Sequence, residues 1–191
     1  MRKLSPWYIV LGVIVILGIW LVVSYNGLVT SKGAVDNAWA QVETQYQRRV
    51  DLVPNLVSTV KGAANFEQET FKAVTEARSA WAQAKTVGDR GQEIQAASSF
   101  DGALSRLLVT VEAYPQLQAT QAFRDLMTQL EGTENRVAVA RKDFNDSVFA
   151  YNVGVRRFPG VIAARIFGFQ AEKSFEAVPG SEVAPKVDFT K

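Results

Sequence analysis

Neither cysteine nor histidine occurs among the 191 residues of this chain. Without cysteine there is no disulfide, no thiol nucleophile, no Cys-bound zinc and no lipid-modified N-terminal cysteine, and either redox compartment is tolerated. Without histidine the commonest general base and the commonest transition-metal ligand are gone. The oxygen ligands that remain suit magnesium or calcium only when clustered. No loop of the D-x-[DN]-x-[DN]-G kind is present, so no metal or other cofactor is expected.

Acidic residues are missing from the N-terminal stretch: none precedes Asp36, whereas Arg2 and Lys3 stand at its start. Those two apart, the 21 basic residues balance the 19 acidic ones, and the rest of the chain is formally neutral. Phosphate affinity comes mainly from clustered Lys and Arg, so nucleic acid is not an expected partner.

Between the basic start and Asp36 lies Trp7 to Val23, an apolar run without a charged residue. As a helix it spans roughly 25 Å, and with its flanks it passes the ~30 Å hydrocarbon core of a bilayer. Ser5-Pro6 is a good helix start. Trp7 and Tyr8 mark one end, Trp20 and Tyr25 the other, as aromatic belts do. A cleaved signal peptide has a shorter apolar core and a better small-residue site than Val22-Val23-Ser24, and a buried core helix is rarely so continuous. An uncleaved single-pass anchor in the lipid bilayer fits best. Arg2 and Lys3 outnumber Lys32 across the span, which places the remainder on the extracytoplasmic side by a margin of one charge.

The remainder reads as helix. Val35, Trp39, Val42, Tyr46, Val50, Val53, Val57, Val60 and Ala64 form one apolar stripe, with Pro54 inside it predicting a kink rather than a stop. The 62–65 link ends this first helix. Asn65 with Gln68, and Asp89 with Gln92, have capping-box spacing. They predict a second helix near 66–86 (Phe66, Phe71, Val74, Trp81) and a third near 90–113 (Ile94, Phe100, Leu104, Leu107, Leu108, Val111) that stops at Tyr114-Pro115. The fourth is the most regular: Phe123, Leu126, Leu130, Thr133, Val137, Ala140, Phe144, Ser147 and Tyr151 alternate in steps of three and four, widened by Val148, Val155 and Phe158. Sustained heptads demand helical partners, and short links make neighbours antiparallel. The fold expected is all-α, with a transmembrane anchor over 1–28, an antiparallel four-helix bundle of long coiled-coil-like helices over 29–158, and an irregular tail over 159–191.

Several runs along this bundle resemble the LemA family of bacterial membrane-anchored helical proteins. They are Tyr25-Asn26-x-Leu28-Val29 with Val35-x-x-Ala38-Trp39; Arg48-Arg49-Val50-Asp51-Leu52-Val53-Pro54-Asn55-Leu56-Val57 leading to Val60-Lys61-Gly62; and Glu112-Ala113-Tyr114-Pro115-x-Leu117-x-Ala119. Leu130-Glu131-Gly132-Thr133-Glu134-Asn135-Arg136, Ala140-Arg141, Asn145, Tyr151-Asn152 and Phe158-Pro159 complete the set. Val50, Ala63 and Asp143-Phe144 depart from the usual family residues without disturbing the fold. The resemblance implies a bacterial cell-membrane protein of a family with no agreed biochemical activity, whose members often stand beside membrane zinc metallopeptidases.

The polar candidates on or beside the stripes are Arg48, Arg49, Asp51 and Asn55 on the first helix and Glu134, Asn135, Arg141, Asn145 and Asn152 on the fourth. Asn145 and Asn152 are one heptad apart, as are Glu134 and Arg141. Interhelical hydrogen bonds and ion pairs that fix register are the expected role. A binding surface for another protein is the alternative. Catalysis is disfavoured, because Arg neighbours keep Asp51 and Glu134 ionised and no nucleophile–base pair or phosphate loop is present. Trp39 and Trp81 read as core.

Three functions are compatible with this pattern: a self-associating membrane scaffold or adaptor for envelope proteins, a regulatory partner of a membrane metallopeptidase, and a hydrolase or sensor with an unrecognised site. Beyond the bundle, the apolar run Val161 to Phe169 and Phe175 has no obvious partner. It could lie back over the bundle, dip into the membrane interface, or dock on a second subunit.

Overall fold

Six helices and no strand occur in residues 6–61 and 68–176, the parts of the chain that the computed structural model describes. They are α1 (Pro6–Lys61), α2 (Gln68–Val87), α3 (Arg90–Val111), α4 (Pro115–Gln118), α5 (Gln121–Arg156) and α6 (Gly160–Phe167). The Ser5 cap, the 62–65 link with its Asn65 cap, and Phe66 lie outside these residues.

The apolar segment and the first bundle helix are one element of 56 residues. From Trp7 to Ile19 its side chains are exposed on every face, and this is the one helix among the described residues that is long and apolar enough to cross a membrane. Cover begins on one side at Trp20 and Leu21 and is complete at Leu28. From there the helix is one-sided, with Val35, Trp39, Val42, Tyr46, Val50, Val53 and Val60 buried. Leu56 takes the core position assigned above to Val57, which is half-buried. Pro54 interrupts neither the helix nor the stripe.

α5, the expected fourth helix, runs antiparallel to α1 along most of its length. Leu28 lies beside Gly154, Trp39 packs on Phe144 at 5.1 Å between ring centroids, and Arg49 reaches Glu134. α2 and α3 form a second antiparallel pair, and Tyr46 of α1 packs on Trp81 of α2 at 5.1 Å. Buried side chains of α1, α2, α3 and α5 join in a single core. Asp89 caps α3 by accepting from the Gln92 amide at 2.8 Å, and Thr120 caps α5 by accepting from the Phe123 amide at 3.4 Å. α3 ends at Val111, and Pro115 opens the short α4 at a position where its missing N–H costs nothing.

Two further details of the stripes differ from expectation. In α5 the buried residue is Val148, while Ser147 is only half-buried, because the stripe drifts as a 3.6-residue helix must against a strict heptad. Phe158 is 75% exposed, since α5 has already ended at Arg156.

The tail is not irregular from its start. α6 folds back onto α1 and α5, burying Ala163 and Ala164. The turn into it brings Gly160 so close to the Gly154 carbonyl that a Cβ would sit 2.4 Å from that oxygen, so only glycine fits. Gly168 closes α6 with φ 76°, and residues 169–176 then run without regular structure along the bundle.

Because α1 is continuous through Pro54, this proline only removes a backbone bond that the helix would otherwise make. Pro54→Ala is therefore expected to keep the helical circular dichroism and raise Tm. A loss of helicity would mean that the proline positions α1 rather than burdening it.

Candidate functional site

The expected polar residues divide into two clusters and a remainder. The first cluster gathers on Asp101, which sequence reasoning missed. Asp101 stands on α3 where that helix crosses α1 and α5. Its carboxylate accepts from Arg49 Nη1 at 2.8 Å, from the Tyr46 hydroxyl at 2.7 Å, and from Arg141 Nη2. Arg49, only 4% exposed, gives its other terminal nitrogen to Glu134. Arg141 also donates to the Tyr46 oxygen and lays its guanidinium 5.2 Å from the Tyr46 ring centroid. Three helices are thus joined by two arginines and two carboxylates. Burial drives the Asp101 carboxyl up to about 7; Arg49 opposes the shift and Glu134 adds to it. Burial likewise lowers Arg141 to about 10, which leaves it charged at neutral pH.

Glu134 and Arg141, one heptad apart on α5, do not pair with each other. Each reaches across to a different helix, Glu134 to α1 and Arg141 to α3.

The second cluster holds the tail. Asn152 accepts the Glu172 amide at 2.8 Å and donates to the Glu172 carbonyl at 2.9 Å. Asn145 does the same for Phe175, at 2.9 and 3.0 Å. These asparagines bond to the backbone of the tail rather than to another helix, which corrects the interhelical role expected of them. The spacing explains why two suffice. One heptad of helix rises ~10.5 Å, and three residues of nearly extended chain cover about the same length. An α5 heptad and a tail tripeptide are therefore commensurate, with the tail antiparallel to α5.

Side chains complete the hold. Glu172 pairs with Lys32 of α1 and, at 3.1 Å, with Arg90 of α3. Arg90 also pairs with Asp36 at 2.8 Å. Desolvation would raise the Asp36 carboxyl, but Arg90 and Lys32 outweigh it and hold the group below its ordinary range. Phe175, 9% exposed, stacks on Trp39 at 6.0 Å, meets Phe144 edge-on at 5.9 Å, and lies 4.6 Å beneath the Arg141 guanidinium. Arg141 therefore belongs to both clusters. Trp39 and Trp81 are core residues, 6% and 1% exposed.

The remaining candidates are not brought together. Arg48, Asp51, Asn55 and Asn135 are exposed, and Asp51 accepts from Gln47 one turn earlier on the same helix at 2.9 Å. Among the described residues no three His, Cys, Asp or Glu side chains converge as metal ligands do.

One buried carboxylate stands apart. Glu93 is 5% exposed, and its Oε2 has no hydrogen-bond partner. Desolvation and then Glu43 raise its pKa; Arg90, Lys85 and a hydrogen bond with Trp39 pull the other way. Its position was legible, because Glu93 falls in step with Ala97, Phe100, Leu104, Leu107 and Val111, all buried.

The chain is similar to known proteins. The family model described as the LemA family matches residues 38–189. A magnetosome protein, MamQ of Magnetospirillum gryphiswaldense, is 28% identical over 185 residues, covering 85% of this chain and 68% of that protein. MamQ 2 of Paramagnetospirillum magneticum is 26% identical over the same shares. Protein LemA of Metamycoplasma hominis is 22% identical over 133 residues, covering 70% of this chain and 60% of its own length.

Two outcomes follow from this geometry. Asn152→Leu removes two bonds to the tail, each with a net value of about 1 kcal/mol. It is expected to speed amide exchange across residues 169–176 while leaving helicity unchanged; unaltered exchange would assign the hold to Phe175 and Glu172 alone. Glu93 takes up its proton more readily folded than unfolded, so its contribution is favourable below the ordinary carboxylate range and is lost as pH rises through its raised pKa. Glu93→Gln should therefore raise Tm at neutral pH and flatten the decline of Tm with rising pH in the acid range. An unchanged pH profile would rule out Glu93 as its source.

Proposed function

The chain belongs to the LemA family, and on that premise we propose that it is a non-enzymatic, membrane-anchored helical scaffold that associates with further copies of itself. The observation that carries the reading is the use made of its polar residues. Arg49, Asp101, Glu134 and Arg141 tie three helices together, and Asn145, Asn152, Lys32 and Arg90 hold the tail. These groups bind one another and the tail, so holding a shape is the role their contacts support best.

Rigidity supports the same reading. α1 enters the bundle without a joint, so a load on the bundle passes directly to the anchor. The charge difference across the apolar segment favours an extracytoplasmic bundle on a single-pass bacterial inner-membrane protein. Association is favoured by the neutrality of the chain beyond Lys3, which keeps self-repulsion small. It is favoured also by Phe149 and Val153, one turn apart on the outer face of α5 and 73% and 39% exposed. Confinement to a membrane raises the effective concentration further.

Light scattering of the full chain in mild detergent tests this. The expected mass is a multiple of 21.0 kDa, reduced to the single-chain value by Phe149→Asp with Val153→Asp. A monomer that instead retains a membrane metallopeptidase through purification would replace the scaffold reading with the regulatory-partner one.

A further inference from the structure

α6 packs where α1 emerges from its bare apolar stretch. The Phe167 ring sits 4.7 Å from that of Tyr25, and Phe169 meets the same ring at 5.8 Å. Tyr25 belongs to the aromatic belt at the end of the apolar segment. Protein cover extends lower still: Trp20 and Leu21 are half-buried, and Leu21 packs against the core. The base of the folded part therefore overlaps the upper end of the run Trp7 to Val23 instead of standing clear of it.

The outer face of α6 is apolar although none of the described residues covers it. Ala163 and Ala164 point inward, at 0% and 1% exposure. Ile162 and Ile166, one turn apart on the opposite face, are 42% and 61% exposed, beside Phe167 at 43% and Phe158 at 75%. Arg156 and Arg157, which precede Phe158 in the chain, and Arg165, which precedes Ile166, are also exposed. Bulky apolar side chains framed by cations, at the level of an aromatic belt, match the chemistry of the headgroup–acyl boundary.

We propose that this face of α6, with Phe158, is a second membrane contact. Ile162, Ile166 and Phe158 enter the interface, and the arginines meet lipid phosphates. The occupant is the bilayer that α1 spans, because α6 meets α1 at Tyr25, where the exposed apolar segment ends. The inference rests on the anchored reading of α1. Its consequence is orientation: a single spanning helix can rotate about its own axis, whereas a helix beside it in the interface fixes which side of the bundle faces the membrane.

The absence of native cysteine makes single-cysteine reporters unambiguous. Full-length Ile162→Cys and Ile166→Cys, each carrying an environment-sensitive fluorophore, would be placed at one copy per nanodisc of phosphatidylethanolamine and phosphatidylglycerol. Ile14→Cys within the span and Val109→Cys, exposed on the distal half of α3, are the references. Shallow doxyl-labelled lipids should quench positions 162 and 166, deep ones position 14, and neither should quench position 109. Quenching at 14 but not at 162 or 166 would remove the α6 contact and leave the anchor intact. Quenching at none of the three would overturn both readings. A spectral shift at 162 and 166 only in discs holding several copies, without lipid quenching, would assign the face to a second copy and overturn the proposal.

Discussion

A single helix here has to satisfy two solvents. Over Trp7 to Ile19 α1 is exposed on every face, and from Leu28 onward it buries one stripe and exposes the rest. The backbone can make that change without a break, since helical hydrogen bonds are internal and indifferent to what surrounds them. The side chains cannot, and the change of pattern near Trp20 fixes where the rest of the molecule begins. α5 and α6 pack upward from that level, α3 runs parallel to α1 beyond it, and the tail returns along α5 toward the distal end.

Apolar stripes bring helices together but leave them free to slip by a turn, because one heptad of Val and Leu resembles the next. The ionic cluster around Asp101 removes that freedom. Sliding α1 against α5 by one turn would separate Arg49 from Glu134 and leave the nearly buried guanidinium to Asp101. A well-packed apolar substitute can match a buried ion pair in stability, so specificity of register is the role this geometry supports better. The tail makes a second check on the same register, since Glu172 needs Lys32 of α1 and Arg90 of α3 at one point.

Periodicity read the buried faces well because burial in a bundle is periodic. Val35 to Val53, Phe100 to Val111 and Phe123 to Phe144 all follow from step lengths alone, and the Leu56 and Val148 corrections are one-residue drifts between neighbouring positions. The polar sites were legible only as candidates. Arg49, Glu134 and Arg141 stood out, yet Asp101, the partner that Arg49 and Arg141 share, lies beside the α3 stripe rather than in it, and step counting gives flanking positions no special status. Glu93 is a carboxylate in a core step of α3, in register with Ala97 and Phe100. Asn145 and Asn152 were seen as a pair one heptad apart, but their partner is backbone, which carries no sequence signature. The helical start of the tail was hidden for a similar reason: eight residues are too few for periodicity to distinguish α6 from an apolar loop.

The shared position of Arg141 links these layers. Its guanidinium bonds to Asp101 on one side and covers the Phe175 ring on the other. The group that locks helix register is therefore also the lid of the tail's aromatic pocket. Tail docking and helix register cannot vary independently, because a shift of α3 that moved Asp101 would draw Arg141 from Phe175. Glu172 binds the same segment to α1 and α3 while Asn152 and Asn145 bind it to α5, so an extended strip of chain with no structure of its own touches three long helices. The fold closes through this strip.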